Sequence, residues 1–163
     1  MSSIPLRIRP AETADQPFFV DLYRSTRDDL LALLADPRYI DALVTMQQQM
    51  QAAGYRNSYP EAQYQVLELD GVAVGRLVTA AVAGAVRVVD IAVMTQARGR
   101  GVAGETLRRL KQQAARSGRD VTLAVHKDNA GARRLYAALG FAVDGEDAFS
   151  LQLRWRSQAD TAT

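Results

Sequence analysis

Residues 86–94 form a β-branched apolar run, followed within a few positions by three glycines and then by a helical apolar stripe. This succession constrains the fold more than any other part of the chain. The run reads as a central strand, because strands buried on both faces are continuously apolar instead of alternating. Beyond the glycines, Ala103, Leu107, Leu110 and Ala114 recur at helical spacing and form one apolar face, which ends near Gly118. A further strand is expected over residues 121–125. Strand, glycine turn, helix and strand in that order belong to an α/β fold.

The flanking segments complete one sheet. Residues 6–9 alternate and stop at Pro10, so they predict a short first strand. Thr13 or Asp15 is the expected cap of a helix over residues 17–35, with Phe18, Leu22, Leu30, Leu33 and Leu34 at helical spacing and Pro37 breaking it. A second helix is expected over residues 38–53, ending at Gly54, with Met46 and Met50 in the core. Residues 65–69 and 72–83 are strand-like and joined by Asp70-Gly71, a strong hairpin signal. Asn129 is the expected cap of a short helix that Gly140 terminates, and residues 141–143 and 149–155 are the last strands. The order β-α-α-β-β-β-α-β-α-β-β implies a mixed sheet of about seven strands with helices on both faces. We expect one domain over residues 1–156 and a disordered tail over 157–163.

Composition narrows the function. The chain has 163 residues, 48% apolar and 23% charged, the balance of an ordinary globule. It has no cysteine, which excludes a disulfide framework, thiolate metal ligands and a cysteine nucleophile. His126 is the only histidine and has no ligand partner of the right type, so no metal is expected. The first residues, Met1-Ser2-Ser3-Ile4-Pro5-Leu6, lack the charged start and long apolar core of a signal peptide, and no apolar run is long enough to span a membrane. The net charge is +2 and no basic block carries interleaved aromatics, so no nucleic-acid partner is expected. Cytoplasm is the expected compartment, and a homodimer stays open.

Arg98-Gly99-Arg100-Gly101-Val102-Ala103-Gly104 lies between strand and helix. Glycines let backbone approach a ligand closely, and a helix N-terminus offers free N–H groups with partial positive charge. Together they suit a pyrophosphate. The same residues match G-x-G-x-x-G at Gly99, Gly101 and Gly104, which raises a dinucleotide site as the rival reading. Three features oppose it. The strand ends about five residues before the first glycine, only one βαβ unit can follow, and the acid about 20 positions on, Asp120, precedes the next strand instead of ending it.

Asn129-Ala130-Gly131-Ala132-Arg133-Arg134-Leu135-Tyr136-Ala137-Ala138-Leu139-Gly140-Phe141 resembles the N-x-x-A-x-x-L-Y-x-x-x-G-F segment of the GNAT superfamily of N-acetyltransferases. The glycine loop resembles that family's acetyl-CoA signature, [Q/R]-x-x-G-x-[G/A], filled by Arg98, Gly101 and Ala103. Both occur in the family's order, and the element order matches over residues 6–155. The resemblance implies a sheet that splays at residues 86–94, with pantetheine pairing with the backbone of Ala92, Val93 and Met94. It implies the pyrophosphate on the amides of Arg98, Gly99, Arg100, Gly101, Val102, Ala103 and Gly104, and further cofactor contacts from Asn129, Arg133 and Tyr136. Acetyl transfer expels a thiolate, which a nearby phenol can protonate; in the resemblance, Tyr136 is that acid.

The attacking amine must shed a proton, since a lysine-like amine of pKa about 10.4 is only about one part in 2,500 neutral at pH 7. Some family members carry a glutamate on the strand corresponding to residues 86–94. Here the acid on that strand is Asp90, between Val89 and Ile91. Unpaired, it would be costly to bury and its pKa would rise, which suits a base or an anchor for a cationic amine. Paired with an arginine, it would be structural. The family's acceptor site draws on the first two helices, which points to Tyr23, Arg24, Arg27 and Asp28 with Asp90, and further to Asp29, Tyr55, Arg56 and Tyr59; Arg24 or Arg27 would suit a substrate carboxylate. Two functions follow: an acetyltransferase acting on a primary amine of a small molecule or protein, or an acyl-CoA-binding sensor or partner-binding module on the same fold without turnover.

Overall fold

Asp70 and Gly71 both take positive φ, 52° and 80°, the backbone that a two-residue hairpin of right-handed twist requires. They join β2 (Gln63–Leu69) to β3 (Val72–Val82). The computed structural model of the chain describes residues 4–27 and 37–157. The other strands are β1 (Leu6–Pro10), β4 (Ala85–Val93), β5 (Asp120–His126), β6 (Ala142–Glu146) and β7 (Ser150–Trp155). Together the strands make one mixed seven-stranded sheet in the order β1-β2-β3-β4-β5-β7-β6. The described helices are α1 (Gln16–Thr26), α2 (Pro37–Ser58), α3 (Val102–Arg116) and α4 (Ala130–Ala138). None of these is long and apolar enough to cross a membrane.

The chain forms two compact units. The first comprises Met1–Val78 and Asp90–Val102. Here β1 pairs antiparallel with β2, and Arg9 holds the corner by donating to Glu68 Oε2 at 2.8 Å and to both carboxylate oxygens of Asp15. Asp15 also accepts the backbone N–H of Glu12, and Arg9 first, then this N–H, hold its carboxyl down at about 2. The expected cap is thus engaged sideways: Asp15 ties a 3₁₀ turn (Thr13–Asp15) to β1. The core includes Phe19, Leu22, Val44, Val66, Leu67, Leu77 and Val78. Leu30, Leu33 and Leu34 lie outside the described residues.

Two expectations for α2 are corrected. The helix runs through Gly54 to Ser58, and Met46 and Met50 are exposed at 52% and 66%. Its inward stripe is Val44, Gln48, Gln51 and Tyr55, spaced by three and four. Gln51 faces a charge: its Oε1 accepts from Arg76. Burying the Tyr55 ring there offsets the roughly 1 kcal/mol that Gly54 costs a helix interior.

The second unit comprises Thr79–Val89 and Ala103–Thr163. Its parallel β4–β5 register links Ala85, Val86 and Arg87 to Asp120, Val121 and Thr122. β5 then pairs antiparallel with β7, and β7 with β6. Leu107, Leu110 and Ala114 of α3 are buried, as their spacing predicts. Ser157, assigned to the tail in sequence, is instead buried, and its N–H donates to Asp120 Oδ1 at 2.8 Å. Residues 158–163 lie outside the described residues.

Candidate functional site

In the first unit, β4 ends with Asp90, Ile91, Ala92 and Val93 half-exposed, and Met94 just after it is half-exposed too. The Met94 N–H donates to the Val74 carbonyl at 2.7 Å, which anchors this end of β4 to β3. A 3₁₀ turn (Thr95–Ala97) follows and buries Ala97. Arg98, Gly99, Arg100 and Gly101 are then exposed, and Val102 starts α3 buried. Gly99 and Gly101 hold φ of +77° and +84°, with nothing among the described residues within 4 Å of where a Cβ would stand. The turn therefore needs glycine for its backbone, and the space above both positions is open to a ligand. It delivers the chain to a helix N-terminus, where free amides attract anions.

The third glycine behaves differently. Gly104 lies inside α3, and a Cβ there would meet the Arg108 guanidinium and Leu135 Cδ1 at 3.5–3.6 Å, ordinary contact distances. A dinucleotide fingerprint needs its third glycine for close helix–strand packing. Asp120 starts β5, where it binds Arg154 at 2.6 Å and Ser157, and so does not stand at that strand's C-terminal end. Both findings count against the dinucleotide reading. Accordingly, Gly104→Ala should leave ligand binding within about twofold, while Gly101→Val, forced out of a left-handed φ, should weaken CoA binding at least tenfold. Isothermal titration of the two variants checks this, and equal affinities would place the anion site elsewhere.

Asp90 is paired. Arg76 of β3 donates through Nη2 to Asp90 Oδ2 at 2.7 Å and to Gln51 Oε1 at 3.3 Å. The Arg76 side chain is only 8% exposed, against 21% for Asp90. Its guanidinium lies 5.2 Å from the Phe19 ring centre and 5.9 Å from that of Tyr55, within cation–π range. Burial, and then the nearby Asp90 charge, push the Tyr55 phenol well above its ordinary value. Of the two sequence readings of Asp90, this geometry is the arginine-paired one. Sequence reasoning did not name Arg76, although one signal was available: a lone cation in an otherwise apolar strand needs a counter-charge, and the next strand carries one acid.

The other acceptor candidates are spread over α1 and α2. The Tyr23 hydroxyl donates to Gln47 Oε1 at 3.5 Å, and Arg24 is ion-paired with Asp41. Among the described residues, Arg27 Nε is buried without a hydrogen-bond partner. Tyr59 donates its N–H to the Tyr55 carbonyl, and Arg56 is exposed. Asp28 and Asp29 lie outside the described residues. Sequence also missed a clasp between the end of α1 and the turn after β4. Thr95 N–H donates to Ser25 Oγ at 2.7 Å, and Thr95 Oγ1 donates to the Ser25 carbonyl at 2.9 Å.

In the second unit, Asn129 Oδ1 accepts from the Ala132 N–H at 3.1 Å, so its side chain caps α4. Tyr136, about two turns further on, is 8% exposed and meets Phe141 edge-on with ring centres 6.0 Å apart. Asn129 itself is exposed. Arg133 donates to the Lys127 carbonyl at 3.1 Å and, with Arg134, lines an apolar groove of about 360 Å³ floored by Phe141, Val143, Leu151 and Leu153. His126 is exposed and lies 4.0 Å from Asp128. No group of three or more metal-ligating side chains occurs among the described residues.

The sequence matches the model of the Acetyltransferase (GNAT) family over residues 20–141. No curated protein matches it significantly. Among solved structures, it is similar to the PaiA N-acetyltransferase from Thermoplasma acidophilum in complex with coenzyme A, with a TM-score of 0.70 at 15% identity over 96% of this chain and 99% of that one. It is also similar to RimL, a ribosomal L7/L12 alpha-N-protein acetyltransferase in complex with coenzyme A, with a TM-score of 0.69 at 18% identity over 97% of each chain. A spermidine N-acetyltransferase chimera from Vibrio cholerae and hSSAT gives 0.67 at 16% identity over 98% of this chain and 99% of that one. At these identities the likeness is one of fold.

Proposed function

The chain belongs to the Acetyltransferase (GNAT) family, and from that premise we propose that it transfers an acetyl group from acetyl-CoA to a primary amine of a small molecule or protein by direct attack. Acetyl-CoA is the family's co-substrate, and two of the solved relatives are complexes with coenzyme A. The observation that carries the reading is the open turn at Gly99 and Gly101, which leads into the N-terminus of α3. That turn suits the pyrophosphate. The backbone of Ala92, Val93 and Met94 supplies pairing groups for pantetheine. Asn129, Arg133 and Tyr136 complete the proposed cofactor contacts, and Tyr136 gives its proton to the departing thiolate. Tyr23, Arg24 and Arg27 are proposed to shape the acceptor end. Asp90 acts there as a carboxylate charge held by Arg76, either taking the amine's proton through water or anchoring the cationic amine.

A second reading has one observation in its favour. Because Arg76 occupies one oxygen of Asp90, the proposed base is already engaged, as in a CoA-binding module that does not turn over. Thiol release from acetyl-CoA across a panel of amines separates the two: turnover with any amine removes the non-catalytic reading. Binding is tested first. At a hundredfold excess over Kd, acetyl-CoA should stabilise the native state by about 2.7 kcal/mol, a rise of about 5–10 °C in Tm, and NAD should not. A rise with NAD and none with acetyl-CoA would overturn the cofactor assignment.

A further inference from the structure

Gly75, in the middle of β3, has the tightest surroundings of any glycine described. A Cβ at this position would lie 2.5 Å from the Ala92 carbonyl oxygen, 3.1 Å from Leu67 Cδ1 and 3.4 Å from Val93 Cα. The first is closer than real Cβ atoms come to any neighbour, and the obstacle is backbone, which cannot swing aside as a side-chain tip can. Strands β2 and β4 press on the residue from both sides, and Gly75 itself is buried.

The geometry constrains one peptide of β4. A Cβ projects off the face of a sheet, so an oxygen in the space of the missing Cβ has been turned onto that face of β3. No peptide bond in the described chain is cis. In a planar trans peptide the C=O and N–H point in opposite directions, so the Val93 N–H is directed away from Gly75. One residue later the backbone is re-anchored, with the Met94 N–H donating to the Val74 carbonyl. The Ala92–Val93 peptide is thus turned toward the face of β3, with the Met94 anchor directly after it.

We propose that Gly75 is a positioning residue for acyl transfer: its missing side chain lets the Ala92–Val93 peptide hold its carbonyl over β3 and its N–H outward, as a fixed donor to the bound thioester. The proposal rests on the reading of Ala92, Val93 and Met94 as cofactor-pairing backbone. Gly75 touches neither substrate; it acts through the β4 peptide. A fixed backbone donor costs no reorganisation when charge develops on the acyl oxygen, and losing one typically costs about 10²–10³ in turnover.

The test is Gly75→Ala, with turnover normalised to folded protein and CoA affinity measured by titration. We expect turnover per folded molecule to fall at least tenfold, with CoA affinity changed less than turnover. A purely structural glycine would lower Tm and leave turnover per folded molecule unchanged, and that result would overturn the proposal. If Gly75→Ala does not fold, amide exchange of the parent decides. The Val93 N–H should exchange faster than its ladder-bonded neighbours in the free protein and slow at least tenfold with CoA. A Val93 amide already protected in the free protein would sink the idea. Failure of the parent to bind CoA would instead remove the underlying cofactor reading.

Discussion

Tyr136→Phe is expected to lower turnover by about 10²–10⁴ while leaving CoA affinity within a few-fold. The substitution removes one hydroxyl and keeps the buried ring, so the edge contact with Phe141 at 6.0 Å survives. Stability should fall by only about 1 kcal/mol, the usual worth of one hydrogen-bonding group. An ordinary phenol, with pKa about 10, holds its proton at pH 7 and can give it to a thiolate as the C–S bond breaks. If Tyr136 only packs, the variant will lose a little stability and keep its turnover per folded molecule. A fully active Tyr136→Phe enzyme would therefore remove the acid assignment and leave the cofactor site standing.

The second large effect is on stability. Asp90→Ala should cost about 3 kcal/mol, or about 6–12 °C in Tm, because it strands the Arg76 guanidinium among Phe19, Tyr55 and apolar β3 neighbours. The low end of the usual range applies, since Asp90 keeps a fifth of its side chain in water. Arg76 has little reserve, as its Nε is already buried without a hydrogen-bond partner among the described residues. Replacing both charges, as in Arg76→Met with Asp90→Leu, should recover most of the loss, because a buried pair seldom outperforms apolar packing of similar volume. Denaturant melts of the two single variants and the double variant measure the coupling; additive losses would show that the pair is not an energetic unit. Activity then tells structure from chemistry. If Asp90 assists deprotonation, Asp90→Asn should lose turnover mainly at low pH, because raising pH neutralises the amine without help. Turnover per folded molecule that is unchanged across pH would leave Asp90 as Arg76's counter-ion alone.

Much of this could be read from the chain itself. The Asp70-Gly71 hairpin, the apolar β4, the helix stripe of Leu107, Leu110 and Ala114, and the Asn129 cap all rest on interactions between near neighbours in sequence, so local periodicity and turn chemistry suffice to find them. The glycine loop was legible for the same reason: a positive φ at Gly99 and Gly101 is a local backbone demand. Family motifs added roles for Arg98, Gly101 and Tyr136 that periodicity could not supply. What stayed hidden depends on residues brought together from distant segments. Met46 and Met50 are more apolar than Gln48 and Gln51, and yet they are exposed while Gln48 is buried and Gln51 reaches a buried arginine from another element. Asp90 was visible as an isolated acid, but its partner is 14 residues away on β3, and only strand pairing joins them. Gly75 carries no local signal in sequence; only the approach of β2 and β4 shows that no side chain fits there. Local sequence thus determined the elements and the glycine turn, while tertiary structure decided which charges meet and where no side chain fits, because those depend on contacts that sequence distance conceals.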